Sequence, residues 1–353
     1  MKKKMKAGLL FLFGYILTLC LCVLCGISIS PNPKTVLAAD TGAVLQMEDG
    51  AQVRIVTPTG LRFTASIQAS DYDAVMAAGG KFGMFILPNE YRTSVGEINE
   101  ENAFGENAKY CWDNNKNGKT QIIHCVTSQL TQKYGSTYYF SCAITNLYED
   151  NYETDFFARA YYEVGGVRVW SDINASNVRS VSYVAQKVLG YESAGEYTPN
   201  EQAKNALLEY ATQFSKVGET VANTPLSANQ VGLYVADLAD VSNLELDGKS
   251  ASFQTSQNGK EAILSSVSKG RHTAKVTLNG GTTWSIPFVY ADYVLKTVED
   301  VEAWIAAREG FDTSANAYVV LARDIFFNRV EGGIAGVGNS NADHSSGSSA
   351  RTR

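Results

Sequence analysis

From about residue 40 to residue 190 apolar and polar positions alternate. In GLRFTASI (residues 60–67), Leu61, Phe63, Ala65 and Ile67 fall on one side and Arg62, Thr64 and Ser66 on the other, because successive strand side chains point to opposite faces. YYFSCAITNL (138–147) repeats this, setting Tyr138, Phe140, Cys142 and Ile144 against Tyr139, Ser141, Ala143 and Thr145. One apolar and one polar face per strand marks antiparallel sheets that are packed on one side and solvated on the other. VRIV and GLRFTASI flank a Thr-Pro-Thr-Gly turn, and FGMFILP is a short apolar run ending at Pro88. DFFARAYYEV (155–164) leads through Gly165-Gly166 into VRVWS (167–171), which reads as a hairpin with a glycine turn.

The period then changes. Val178, Val181, Ala185, Val188 and Leu189 recur at helical spacing with Gly190 as the stop. TPNE (198–201) predicts a capped helix start, with Thr198 as N-cap, Pro199 in the first helical position and Glu201 reaching back. Ala203, Ala206, Leu207, Tyr210, Phe214 and Val217 form its apolar stripe, and Gly218 closes it. ETVANTPLSAN reads as a polar linker. Residues 226–290 are short strands between the turn dipeptides Asp247-Gly248, Asn258-Gly259 and Asn279-Gly280, the pattern of a small immunoglobulin-like sandwich. YVLKTVEDVEAWIAAREG predicts a strand and a helix, and AYVVLARDIFF a further strand. After Asn328 the chain is rich in Gly, Ser, Asn and Ala, and such a tail is expected to be disordered.

The expected fold class is therefore mainly β. A β-sandwich-like N-terminal domain with a capping helix spans 40–195, and a helical connector and linker spans 196–225. An immunoglobulin-like β-sandwich (226–291), an incomplete C-terminal module (292–330) and a disordered tail (331–353) follow. Residues 1–38 are a separate matter: MKKKMK precedes a long apolar run that ends at Pro31 and Pro33, the form of a secretory signal peptide with Val36-Leu37-Ala38 at the cleavage point. The run is long enough to span a bilayer, so an uncleaved anchor is the alternative.

Without that leader the chain carries 25 basic and 36 acidic residues, a net charge of −11. This excludes nucleic acid and anionic membrane surfaces as expected partners, since both require a basic footprint. Cys111, Cys125 and Cys142 remain, an odd number for an exported chain. Either one disulfide and one buried thiol, or three buried thiols, fit the count. Outside residues 1–38, whose apolar run holds Cys22-Val23-Leu24-Cys25, no GxSxG, HExxH, P-loop, GxGxxG or CxxC occurs, and no cofactor or metal is expected.

VRIVTPTGLRFTASI, FGMFILP, YYFSCAITNLYEDNYETDFFARAYYEV and NVRSVSYVAQKVL resemble successive blocks of a domain in large secreted surface proteins of gut Firmicutes. Its hallmarks are a Gly-Ile-Arg-Phe strand, here with Leu61 in place of Ile, a Phe-x-Ala-Arg-x-Tyr strand and an Arg-Ser helix. The resemblance covers residues 43–190 and implies an extracellular location and a modular architecture, with no assigned activity. KGRHTAKVTLNGGTTWSIPFVY is similar to the last strands of the immunoglobulin-like modules of such proteins. TVEDVEAWIAA with AYVVLARDIFF is similar to the start of a laminin-G-like or β-helical module.

Arg62 and Arg159 are the first candidates for function. The plain reading sets each on the solvated side of a sheet, over an aromatic ring or beside an acid. The functional reading brings them together with Tyr161 and Trp170 as a platform for a glycan or a protein carboxylate, since rings beside fixed donors suit ligands with apolar and hydroxylated faces. Asp113, Asn115, Asn117 and Gly118 resemble half a calcium loop, but His124 stands where the acidic twelfth ligand belongs. Read as a hairpin, the same stretch would let Cys111 and Cys125 face each other as a disulfide. The expected function is non-catalytic adhesion or ligand binding at the cell surface. A carbohydrate-active enzyme and a structural spacer are the alternatives, because paired glycosidase carboxylates leave no local motif.

Overall fold

The computed structural model describes residues 42–113, 117–308 and 317–322. The leader and the tail expected from the sequence lie outside the described residues, as does Asn115. The fold is mainly β. The N-terminal domain runs β1 (Leu45–Met47), β2 (Gln52–Arg54), β3 (Gly60–Gln68), α1 (Ala69–Ala77), β4 (Lys81–Pro88), α2 (Glu90–Ser94), α3 (Glu100–Phe104), β5 (Tyr110–Cys111), β6 (Thr120–Gln121), β7 (Ile123–Thr127), β8 (Gln132–Tyr134), β9 (Thr137–Thr145), β10 (Phe156–Val164) and β11 (Val167–Trp170). Two antiparallel sheets result. The front sheet has the order β1-β3-β9-β8, with β2 paired to the start of β3, and the back sheet has the order β11-β10-β4-β7.

The alternation decides which side chains meet. Leu61, Phe63, Ala65 and Ile67 of β3 and Phe140 and Cys142 of β9 pack against Phe82, Met84, Ile86, Ala158, Ala160 and Tyr162 of the back sheet. Each such buried side chain contributes about 1.5–3 kcal/mol. The β10–β11 hairpin closes at Gly165 and Gly166 with φ of 59° and 83°, the positive values a tight hairpin turn requires and glycine adopts freely.

The cysteine pairing corrects the expectation. Cys125 is bonded to Cys142, with Cα atoms 5.9 Å apart, and Cys111 is a buried free thiol. On β7, His124 and Val126 lie opposite Phe85 and Gly83 on the outer face, so Cys125 turns inward toward Cys142 and ties the back sheet to the front one. Cys111 sits elsewhere because β5 and β6 are parallel, with Cys111 opposite Gln121, so these two strands form no hairpin.

Helices α4 (Val181–Ser193) and α5 (Glu201–Ala211) follow. Ser180 caps α4 through its hydroxyl and the Tyr183 N–H. Gly190 does not end α4; a Cβ there would sit 3.0 Å from Thr282 Cγ2 and 3.3 Å from Trp284 Cε3, so glycine serves close approach to the next module. The N-cap of α5 is Asn200 rather than Thr198: its side chain accepts from the Ala203 N–H at 2.8 Å. The helix stops at Ala211, and Phe214 and Val217 leave the helical stripe because β12 (Gln213–Lys216) begins there.

The second module comprises β12, β13 (Thr220–Val221), β14 (Thr224–Pro225), β15 (Gln230–Tyr234), β16 (Val241–Leu246), β17 (Lys249–Ser250), β18 (Phe253–Thr255), β19 (Glu261–Ser265), β20 (Gly270–Leu278) and β21 (Thr283–Ala291). Its sheets have the orders β15-β19-β18 and β12-β21-β20-β16-β17, with β12 parallel to β21. This is an immunoglobulin-like sandwich. Its core is continuous with that of the first domain. A buried glutamine on α4 clamps the seam, and a second, on β12, ties the two sheets of the sandwich together at the same point. Gln186 Oε1 accepts from the Ala236 N–H and its Nε2 donates to the Tyr234 carbonyl, while Gln213 accepts from the Tyr234 N–H and donates to the same carbonyl. Last come β22 (Tyr293–Leu295), α6 (Val298–Arg308) and β23 (Val319–Leu321), with β22 and β23 parallel. Thr297 and Asp300 cap α6 reciprocally, each side chain accepting from the other's backbone N–H.

Candidate functional site

The outer face of the back sheet gathers three of the four residues singled out from the sequence. Strand register places Trp170 beside Tyr161, Tyr161 beside Gly83, and Arg159 beside Phe85. A side chain at Gly83 would collide with the Tyr161 ring, which lies across the glycine and brings its hydroxyl to 2.9 Å from His124 Nε2. Tyr161 and Trp170 ring centroids are 5.1 Å apart, and Arg159 Cζ is 5.4 Å from the Trp170 ring. Phe85 stacks on His124 at 4.1 Å. Burial, aided by Arg168 and Lys81, holds the His124 imidazole down to about 4.

Most of this face is interior. Residues 89–113 and 117–122 fold over it, and Ile98, Ala103, Tyr110 and Ile122 join Phe85, Leu87, Phe157 and Tyr161 in a second core. Arg159 donates to the carbonyls of Ser171 (2.9 Å) and Ile98 (2.6 Å), so its guanidinium pins the covering segment to the sheet. Burial lowers its pKa. Arg168 bridges Glu163 and Glu100 and stacks on Phe104, with Cζ 3.5 Å from the ring centroid. What reaches solvent is an apolar margin, chiefly Trp112 and Val126, 40% and 51% exposed.

Arg62 is not brought to this group, because it belongs to the other sheet and projects from the opposite outer face. There it donates to Gln52 Oε1 through Nε at 2.9 Å and through Nη2. That face is open. Its outward residues are Arg62, Thr64, Ser66 and Gln68 on β3, Thr137, Tyr139, Ser141 and Ala143 on β9, and Gln132 and Tyr134 on β8. Thr64 and Ser141 hydroxyls bond across the strands at 2.9 Å, and the Tyr134 and Tyr139 rings meet edge to face at 5.7 Å. The turn after β1 raises a rim of Glu48, Asp49 and Gly50. Asn174 donates to Asp49 and to the Met47 carbonyl, and the Gly50 N–H bonds the Ser176 carbonyl, so the rim is anchored to the back of the domain. Of the outward residues, Arg62, Thr64, Tyr139, Ser141, Gln132 and Tyr134 line, with the rim, a concavity of about 480 Å³, while Ser66 is buried.

A second cavity, of about 510 Å³, lies where the N-terminal domain, the immunoglobulin-like module and the β22–β23 unit meet. Its lining includes Glu219, Glu261, Arg271 and Lys296. Burial pushes the Glu219 carboxyl up, and the Lys216 N–H bonds one of its oxygens at 3.0 Å. No local pattern along the chain foretells this cavity, which arises only from how the modules are set together. Among the described residues no cluster of His, Cys, Asp and Glu is arranged to hold a metal ion.

Fold and site together define a modular protein of two β-sandwiches joined through a helical pair, with an open polar sheet face on the first. No protein-family model matches the chain, and no curated protein matches it. Among solved structures it is similar to the BSP domain of a biofilm-associated protein, at 9% identity over 71% of this chain and 52% of that one, with a TM-score of 0.21. It is also similar to the C-terminal domain of the Streptococcus pyogenes antigen I/II-family protein AspA, at 8% identity over 70% of this chain and 98% of that one, with a TM-score of 0.18. The chain spans about half the length of the first of these. Likeness at this level fixes neither topology nor function.

Proposed function

We propose that this is an extracellular, non-catalytic modular protein that serves adhesion or presentation at a cell surface, holding a glycan or a protein ligand on the outer face of its front sheet. The observation that carries the reading is the concavity around Arg62. It combines an anchored rim, a row of hydroxyls and amides, and two tyrosines, one of them 71% exposed, on a face that takes no part in either core. A sheet face with no task carries apolar side chains scattered singly, whereas rings set beside fixed donors around one concavity are the makings of a binding surface. The leader, the acidic charge and the resemblance to secreted surface modules support an exported chain. The Arg159, Tyr161 and Trp170 group supports the reading indirectly, by stiffening the scaffold behind the site.

The test is binding of the full exported chain to arrayed glycans and extracellular proteins, alongside an Arg62→Ala/Tyr139→Ala double variant. Hits that disappear with the double variant support the reading. Hits that both proteins retain place the ligand elsewhere and refute it.

A further inference from the structure

We infer, resting on the front-sheet reading just given, that the ligand is an uncharged linear oligosaccharide laid across the concavity from Arg62, past Thr64 and Ser141, to Tyr139 and Gln132. These residues project from the outer face of β3, β9 and β8 and line the concavity, whereas Ser66 on the same face is buried and Gln68 lies outside it, bonded to Thr137. A strand rises about 3.4 Å per residue and Tyr139 pairs with the fourth residue after Arg62, so the span is about 14 Å, enough for roughly three sugar rings. Each part of it offers what a polyol needs.

At one end Arg62 spends Nε and Nη2 on Gln52, which orients the guanidinium. Its Nη1 hydrogens have no acceptor among the described residues and remain for a ligand hydroxyl or ring oxygen. In the middle Thr64 and Ser141 are a mutually bonded hydroxyl pair, so one of the two keeps an unused hydrogen and both keep lone pairs. At the other end Tyr139 lies opposite Ser66 and Gln132, and its edge-to-face partner Tyr134 is largely exposed. These rings supply flat apolar surface for the C–H face of a sugar.

Two features select this ligand over other extracellular partners. Ser is depleted in protein interfaces, whose centres are apolar, yet the middle of this concavity is Thr64 and Ser141, with no large aliphatic side chain lining it. The single cation of the concavity, Arg62, is accompanied by Glu48 and Asp49, so no positive surplus attracts an acidic polysaccharide.

The test is titration calorimetry of the full exported chain with neutral oligomers of two to six rings, built from β-linked glucose, xylose, mannose or N-acetylglucosamine. Oligogalacturonate forms the charged arm. At least one neutral series is expected to bind, with affinity rising about tenfold or more from two to three rings and little beyond. Arg62→Ala and Tyr139→Ala should each weaken it about tenfold, while Tyr191→Ala, at an exposed tyrosine on α4, should not. Absence of binding by every neutral series, or tighter binding by oligogalacturonate, overturns the inference. A protein hit from the arrays that the double variant loses and no neutral oligomer displaces would overturn the inference while leaving the front-sheet reading intact. Neutral-glycan binding that survives the double variant would overturn both.

Discussion

Replacing Gln186 with Met tests whether the two sandwiches are one mechanical unit. Gln186 is fully buried on α4, accepting from the Ala236 N–H at 2.8 Å and donating to the Tyr234 carbonyl at 3.1 Å. Methionine nearly preserves volume, so the packing penalty is small. The Ala236 N–H loses its acceptor in a site closed to water, which costs about 1–3 kcal/mol. The Tyr234 carbonyl loses less, since Gln213 Nε2 still donates to it at 2.7 Å. For a domain pair of this size the deficit corresponds to a fall of about 3–10 °C in Tm. Urea and thermal unfolding followed by far-ultraviolet circular dichroism and by tryptophan fluorescence would read it. Trp170 reports on the first module and Trp284 on the second. The expected result is a single transition, coincident by both probes, that moves as a whole in the variant. A loss below about 0.3 kcal/mol, or two separate transitions in the unaltered protein, would refute the reasoning.

Reduction of the Cys125–Cys142 bond should cost about 3 kcal/mol, as expected for opening a loop of 17 residues, and the chain without residues 1–38 should show one thiol, Cys111, that reacts with a thiol reagent only after unfolding. A second prediction concerns acid. His124 is held down to about 4 in the fold and rises to about 6.5 on unfolding, so the unfolded chain binds the extra proton and stability falls as pH drops from about 6.5 toward 4. Allowing for its partial exposure, the loss is about 1–2 kcal/mol, and His124→Gln should flatten the stability profile in that window. The carboxyls of Asp237 and Asp247, held below their usual range by hydrogen bonds with Tyr183 and Lys187 and with His272 and the Thr273 N–H, withdraw stability only below about pH 4.

The period-two alternation in residues 60–67 and 138–145 predicts which side chains enter the core. The same alternation puts Cys142 on the buried face with Phe140, and the match to Cys125 becomes visible once β7 is placed beside β4. Loop proximity favours Cys111 instead and fails, because which strands become neighbours is a tertiary choice that spacing does not encode. Arg62 and Arg159 share an outward pattern, yet they occupy different sheets, and nothing local distinguishes one two-sheet assignment from the other. Phe214 and Val217 extend a helical stripe past the end of α5. The open backbone edge of β21 overrides that stripe, and β12 pairs there instead. The covering segments 89–113 and 117–122 were the least legible part. Their cue is Phe85 and Leu87 in a strand that is apolar on both faces, the mark of a sheet buried on two sides.

The most direct test of the front-sheet site is amide NMR of isotopically labelled residues 39–353 during titration with whichever neutral oligomer binds in calorimetry. The account expects the largest shift changes at Arg62, Thr64, Tyr139 and Ser141, with the back-sheet face of Arg159, Tyr161 and Trp170 nearly unmoved. Changes centred on Trp112 and Val126, or on Glu219 and Glu261 in the cavity between the modules, would contradict it.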